Sequence, residues 1–497
     1  MKKEGIRKIL KVINKQQLFL ILVLTLIFFG INWTIEYETD TYATFQEKGT
    51  WEWMLYENGR LFSALVYYLF ETLEVPGAYI YKISYLAAVF FLVLSLSLLA
   101  RILIGFQEDK KRDDRSCVLL AFFTVANYYI VEYFLFIEKG LFLFAIFLCT
   151  LACWFTIDFF RERKKTALAG TYICLLLAVN IYQIIPGYYV VLCLPFILYF
   201  SNDIKSFLKN NLVVALAYGL PMLLGLVITR GFLGSSRIDS LTNLPKTLKE
   251  TGEMFLRITF SDWYHIPGRV FVGIPIIVTI VFAVYIYTLK QKRGVHILGY
   301  CYLIVGTGFV AFFPFLMGVT TKYSPRTLYP YGVLGGILLI YLVLISSDGG
   351  GRIVRQLVKP SLYFILIAGL IIQYTDIQSV FIERYKTNQA DYYYCQILEG
   401  RIKAYEEESG MTIDTICFYR DASETWWERG YDHTELNTRA QAVGWGNLNA
   451  INLYLGKDYQ KGEKLSEYEQ YFQKLNWDTW SEEQLIFQDT TLHLCIY

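Results

Sequence analysis

The chain has 497 residues, of which 55% are hydrophobic, 17% aromatic and only 18% charged, and its net charge is +2. Its mean hydropathy is +0.36, whereas a soluble domain would carry about a quarter charged residues. Apolar runs of about 18 or more residues recur, each long enough to cross a bilayer as a helix, which excludes a soluble globular enzyme and indicates a multi-pass membrane protein.

The N-terminal MKKEGIRKILKVINKQQ is basic and leads into the first apolar run. Bulky and acidic residues follow that run instead of a small-residue cleavage site, so it is expected to persist as a membrane helix. About eleven spans are expected, at roughly 18–35, 78–100, 117–136, 140–158, 166–185, 187–200, 211–231, 269–289, 295–314, 327–346 and 361–380. The segment 187–200 is short and contains Pro195. It is retained because its loss would break the alternation of charge downstream.

If every span crosses once, the basic N-terminus shares a side with Lys110–Lys111–Arg112, Arg161–Lys165, Lys290–Arg293 and Arg352–Lys359. The positive-inside rule makes that side the cytoplasm. The expected protein thus lies in the plasma membrane, N-terminus inside and C-terminus outside. The fold class expected is mainly α: a polytopic transmembrane bundle over 1–380 with a small extracytoplasmic α/β domain over 381–497. The stretch after the first span and the loop from about 232 to 269 would face outward.

That first outer stretch carries Glu36, Glu38 and Asp40, then Trp51, Trp53 and Tyr56, then Glu57–Asn58–Gly59–Arg60. A carboxylate held at a membrane surface can take the proton of a hydroxyl nucleophile, and an arginine beside it can hold a phosphate bidentately. Asp40 is the candidate base, with Glu38 the alternative. A merely solvated acidic loop is the plainer interpretation.

Further along, Glu132 and Glu138–Lys139 flank the third span and suggest a loop ion pair. Tyr182–Gln183 lies near the outer end of the fifth span. Lys322, Arg326 and Tyr329 sit at the outer mouth of the tenth, where cations suit a lipid phosphate or simply snorkel to the headgroups. The segment 244–260 is patterned as a helix lying in the interface, closed by Ser261–Asp262–Trp263–Tyr264–His265. Glu57, Tyr182, Gln183, Asp262 and His265 are the candidate substrate contacts.

His265, His296, His433 and His493 are scattered, and no zinc-ligand spacing is present, so no metal ligands are assigned. Acidic pairs could still hold a divalent cation, Mg or Mn, beside a phosphate. Gly306–Thr307–Gly308 lies within a span and lacks a third glycine, and no Walker lysine motif occurs. A chain without a cytoplasmic nucleotide site, but with shaped outer loops, is expected to work outside.

In the tail, Tyr385 to Ser409 is expected to be helical, with Tyr393, Ile397, Ile402 and Tyr405 inward and Gly410 as the stop. Met411–Tyr419 and Leu492–Tyr497 are patterned as strands. Six of the nine cysteines lie in apolar spans as small hydrophobes. Of Cys395, Cys417 and Cys495, one Cys417–Cys495 bridge is open.

Asp40 in ETDTY, Gly59–Arg60 in ENGRLF, Tyr182–Gln183 in IYQIIPGYY and Arg326 in SPRTLYP occur in an order and membrane placement that is similar to the GtrII-like glucosyltransferases. These are membrane-embedded GT-C enzymes. The resemblance covers roughly residues 18–380 and, more loosely, the start of the tail. It implies a GT-C-like bundle and a polyprenyl-phosphate sugar donor, usually glucose. It also implies a cell-surface polysaccharide or lipid-linked glycan as acceptor, and no nucleic acid. Carried onto this chain, Asp40 or Glu38 would activate the acceptor hydroxyl in an inverting transfer. Arg60, Arg326 and Lys322 would hold the donor phosphate, and tail aromatics such as Trp426, Trp427 and Trp445 would help bind the acceptor. The family often places its acids side by side, whereas Thr39 separates them here. The rival from another class is a transporter or flippase of a lipid-linked sugar, which would carry paired repeats and broken helices near the midplane. No clear internal repeat is visible.

Overall fold

The computed structural model describes residues 15–34, 37–46, 49–107, 113–228, 244–260, 268–288, 293–316, 324–347, 352–422, 438–477 and 480–496. Helix α1 (Lys15–Phe29) tightens into a 3-10 turn over Gly30–Trp33. Helix α2 (Thr39–Gln46) is short. It is followed by a turn of helix at Thr50–Glu52 that widens to π geometry over Trp53–Glu57. Then come α3 (Leu61–Thr72), α4 (Gly77–Ile104), α5 (Asp114–Val125), α6 (Val131–Leu135), α7 (Lys139–Glu162), α8 (Lys165–Val179), α9 (Pro186–Tyr199) and α10 (Ile204–Val227). After α11 (Leu244–Phe260), the helices α12 (Gly268–Thr288), α13 (Arg293–Leu316), α14 (Tyr329–Gly332), α15 (Leu334–Ser347) and α16 (Arg352–Ser409) complete the helical part.

Every expected span coincides with apolar helix. Among the described residues six helices are long and apolar enough to cross a membrane, and α5 with the 128–135 segment adds a seventh as a pair bent by 52°. The bend has a local cause. Asn127 Nδ2 donates to Thr124 O at 2.9 Å and Asn127 Oδ1 accepts from Tyr129 N–H at 3.0 Å, so the side chain replaces the helical ladder. The expected spans at 166–185, 187–200, 269–289 and 327–346 correspond to shorter apolar helices. At 1.5 Å per residue, a helix of 14 residues reaches only about 21 Å. A further apolar helix, α3, was not among the expected spans. It buries Ser63, Ala64 and Tyr67 and exposes Leu61, Leu65, Tyr68 and Leu69.

The membrane core is closely packed. Glycines of α14 and α15 let these helices lie directly on α5 and the bend. A Cβ on Gly336 would stand 2.2 Å from Thr124 Oγ1, and one on Gly332 2.4 Å from the Tyr129 ring. Buried tyrosines find polar partners there: Tyr329 OH donates to Val125 O at 2.8 Å, and Tyr189 OH pairs with Thr156 at 2.9 Å. The segment expected to lie in the interface is indeed helical. Thr251 of α11 is buried and the Phe255 ring packs on Phe312, while Leu248 and Leu256 remain exposed.

Helix α16 is continuous for 58 residues, so the expected last span and the expected tail helix are one element, and residue 380 lies inside it. It ends at Gly410, whose φ of +71° suits glycine. The tail helix register matches expectation at its C-terminal end, where Ile402 is buried and Tyr405 packs on the tail core, and differs before it: Tyr394, Cys395 and Leu398 face that core, whereas Tyr393 and Ile397 are exposed. In the run Tyr392–Tyr393–Tyr394 three equivalent side chains leave the phase of the buried stripe undefined by pattern.

The tail adds β1 (Thr415–Arg420), α17 (Asn447–Leu455), β2 (Gln460–Lys461), α18 (Ser466–Phe472), β3 (Leu485–Gln488) and β4 (Thr491–Ile496). The strand order is β2-β1-β4-β3. Strand β1 pairs in parallel with β2 and β4, and β3 pairs antiparallel with β4. The register sets Cys417 opposite His493 and Cys495 opposite Tyr419, and all nine cysteines are free thiols.

Candidate functional site

The site is built where α2, the turn before α3, the bend at 128–138 and the turn before α14 converge. Helix α2 is capped by the acid that precedes it. The Asp40 N–H donates to Glu38 Oε2 at 2.8 Å, and the Thr41 N–H to Glu38 O at 2.9 Å. A carboxylate at a helix N-terminus satisfies an orphan donor and meets the positive end of the dipole. Asp40 sits one step further into the first turn with its carboxyl reached by the Trp445 indole, Nε1 to Oδ1, at 3.0 Å.

Helix α16 grips the strand of chain leading into α2. Asn388 Oδ1 accepts from Tyr37 N–H at 2.6 Å while its Nδ2 donates to Tyr37 O at 3.0 Å. The wholly buried Arg384 donates to Tyr37 O and, at 3.0 Å, to Thr438 O. Lower down, Asp391 accepts from Arg439 Nε at 2.9 Å and from Ala440 N–H at 2.8 Å, tying the tail to the same helix.

Arg60 is presented by a turn that only a glycine-like backbone allows, since Gly59 has φ +62°. Gln183 braces that turn, its Nε2 donating to Asn58 O at 3.1 Å and Gly59 O at 3.4 Å. The Arg60 guanidinium lies over the Tyr182 ring at 4.7 Å and stands 3.7 Å from Glu138 Oε1. Both side chains are buried.

Arg326 is held similarly. Its backbone N–H donates to Glu132 Oε2 at 2.7 Å, its Nε lies 3.2 Å from Glu132 Oε1, and its guanidinium covers the Phe136 ring at 4.3 Å. Tyr133 OH donates to Arg326 O at 2.6 Å.

The groups are close enough to feel one another. Loss of water pushes the Glu38 carboxyl up to about 8, helped by Asp40 and opposed by Arg384 and Arg326. Desolvation also raises Glu138, against the pull of Arg60. Desolvation works against the Arg326 charge, yet Glu132 and then Tyr182, Asp40 and Glu38 hold it above its ordinary value.

The structure therefore brings together Glu38, Asp40, Arg60, Arg326, Tyr182 and Gln183. Glu57 lies on the exposed side of the π turn. Asp262, His265 and Lys322, and likewise Trp426 and Trp427, lie outside the described residues. The expected Glu138–Lys139 ion pair is not formed: Glu138 faces Arg60, and Lys139 donates to Asn32 Oδ1 at 2.6 Å with its ammonium over the Tyr81 ring. Neighbours at i and i+1 point about 100° apart on a helix, so adjacency in sequence gave the wrong partner. Glu132 and Glu138, which face the two arginines, were not among the expected site residues. Their burial beside a span was the available signal. Among the described residues no three His, Cys, Asp or Glu side chains group as a metal site.

A family model described as Glucosyl transferase GtrII matches residues 27–341, well over half of the chain. The match contains Asp40, Arg60, Glu132, Glu138, Tyr182, Gln183 and Arg326, and stops short of α16 and the tail. No curated protein matches the chain.

Proposed function

The chain belongs to the glucosyl transferase GtrII family, and on that premise we propose that it moves a glucosyl residue from a polyprenyl-phosphate donor to a surface polysaccharide at the outer membrane face. The observation that carries this reading is the convergence of one accessible carboxylate, Asp40, with the buried Arg60 and the half-buried Arg326. The helical bundle with several apolar helices supports a donor that is itself lipid-borne.

In this reading Asp40 accepts the proton of an acceptor hydroxyl as that oxygen attacks the anomeric carbon from the face opposite the phosphate. The bond from the anomeric carbon to the phosphate oxygen breaks, and its electron pair stays with the departing lipid phosphate. Arg60 and Arg326 stabilise the charge that develops there, in a dry site where fixed donors act most strongly. Glu138 and Glu132 hold the two guanidinium groups in place. Tyr182 and Gln183 position Arg60 through its ring contact and its turn. Glu38 caps α2 and, being pushed toward neutrality, does not compete with Asp40 for the proton.

The test is transfer of labelled glucose from polyprenyl-phosphate glucose into polysaccharide, in membranes bearing Asp40→Asn or Glu38→Gln. Loss with the first and retention with the second are expected. Full activity in Asp40→Asn removes the base from the scheme.

A further inference from the structure

The tail, beyond the residues that the family model matches, reaches Asp40 through a turn built for close approach. The Lys461 ammonium donates to Gly444 O at 2.8 Å and the Gly446 N–H to Val443 O at 3.0 Å, fixing the turn from both ends. Gly446 rests on α2 itself: a Cβ there would stand 2.6 Å from Thr39 Cγ2, the residue before Asp40. Helix α17, which follows the turn, is pinned to α2 by Tyr454 OH and Tyr42 OH at 2.7 Å. Between these fixings Trp445 donates its indole N–H to Asp40 Oδ1 while 61% of the residue stays exposed. An indole so placed has its polar edge bound and its apolar face open.

We propose that Trp445 is the acceptor-side positioning residue. Its N–H engages one oxygen of Asp40 and leaves the other to take the acceptor's proton. Its ring is the floor on which the acceptor pyranose lies, C–H face down, with the attacking hydroxyl at the carboxylate. The ligand class is thus a sugar ring of a polysaccharide. This assignment rests on Asp40 as the base.

Three substitutions in the full-length chain separate the two roles, assayed with polyprenyl-phosphate glucose and polysaccharide extracted from cells lacking the chain. Trp445→Phe keeps a ring and loses the donor: kcat falls about tenfold and the acceptor KM stays within about twofold. Trp445→Gln keeps an N–H donor and loses the ring: kcat recovers to within about threefold and the acceptor KM rises about tenfold. Trp445→Ala loses both, and its thermal unfolding reports whether the tail still folds. Gly446→Ala, which displaces the whole turn, is expected to behave as Trp445→Ala with the indole intact. A wild-type kcat in Trp445→Phe overturns the positioning role, and a wild-type acceptor KM in Trp445→Gln overturns the floor. Inactive Asp40→Asn beside unaffected Trp445 variants defeats this assignment alone, whereas active Asp40→Asn defeats the reading beneath it.

Discussion

Arg60 and Glu138 face one another at 3.7 Å with both side chains buried, one delivered by a glycine turn and the other by the N-terminus of a membrane helix. Breaking such a pair from one side leaves an uncompensated charge and typically costs about 3–5 kcal/mol. Glu138→Ala is therefore expected to destabilise the protein by an amount in that range. Glu138→Gln, which keeps the size of the side chain and a polar oxygen facing Arg60, should cost less than half as much. Unfolding in detergent, followed by tail fluorescence, ranks the two; equal costs would mean that shape and polarity at Glu138 contribute nothing.

Replacing Arg326 by Lys preserves charge and removes the planar fork. Glu132 already engages the Arg326 backbone N–H as well as its side chain, so the turn survives the exchange. The expectation is a loss of about 100-fold in kcat/KM, the scale of one lost transition-state donor, with unfolding little changed. Steady-state kinetics against donor concentration provides the check.

Glu38 yields a pH prediction. Its folded-state value of about 8 lies above that of an ordinary carboxyl. Its contribution to stability is therefore fully present below the ordinary carboxyl value of 4.5 and is lost progressively as pH rises from there through about 8. Glu38→Gln cannot lose a proton, so its Tm should match the wild type at about pH 4 and exceed it by a growing margin as pH rises to about 8. A parallel decline of both proteins with pH would place the titrating group elsewhere.

The Gln183 amide nitrogen donates to two backbone carbonyls, those of Asn58 and Gly59. Gln183→Leu removes both hydrogen bonds and leaves two carbonyls unpaired, a cost of about 1–3 kcal/mol. The turn carrying Arg60 should loosen, and the donor KM should rise while the acceptor KM does not. A rise in both would mean that Gln183 contacts the acceptor as well.

The helical bundle was legible from composition because each apolar run is local information, read within one window. Asp40, Arg60 and Arg326 were legible for a related reason: each stands where a membrane helix begins or ends, and charge there is conspicuous. What the pattern could not supply is which charge meets which. Glu132 and Arg326 come together across 194 positions of sequence, and only packing decides that encounter. Helix α3 escaped because its outward leucines and inward Ser63 and Tyr67 make an apolar stretch of ordinary length. The tail register failed at three consecutive tyrosines, where hydrophobicity carries no phase.

The continuity of α16 turns a residue count into a distance and an angle. Its 58 residues run about 87 Å at 1.5 Å each, and every residue adds a rotation of about 100°. The same rod holds the chain entering α2 through Arg384 and Asn388 and holds the tail through Asp391 and Leu398, with Arg384 reaching Thr438 of the tail as well. A single residue inserted between these two sets of contacts would swing the tail a quarter-turn or more around the bundle and carry Trp445 off Asp40. The tail's distance from the bundle and its facing direction are thus metered by helical pitch, with no slack tether between them, so in the proposed transfer the acceptor would have to come to Asp40 in one set orientation.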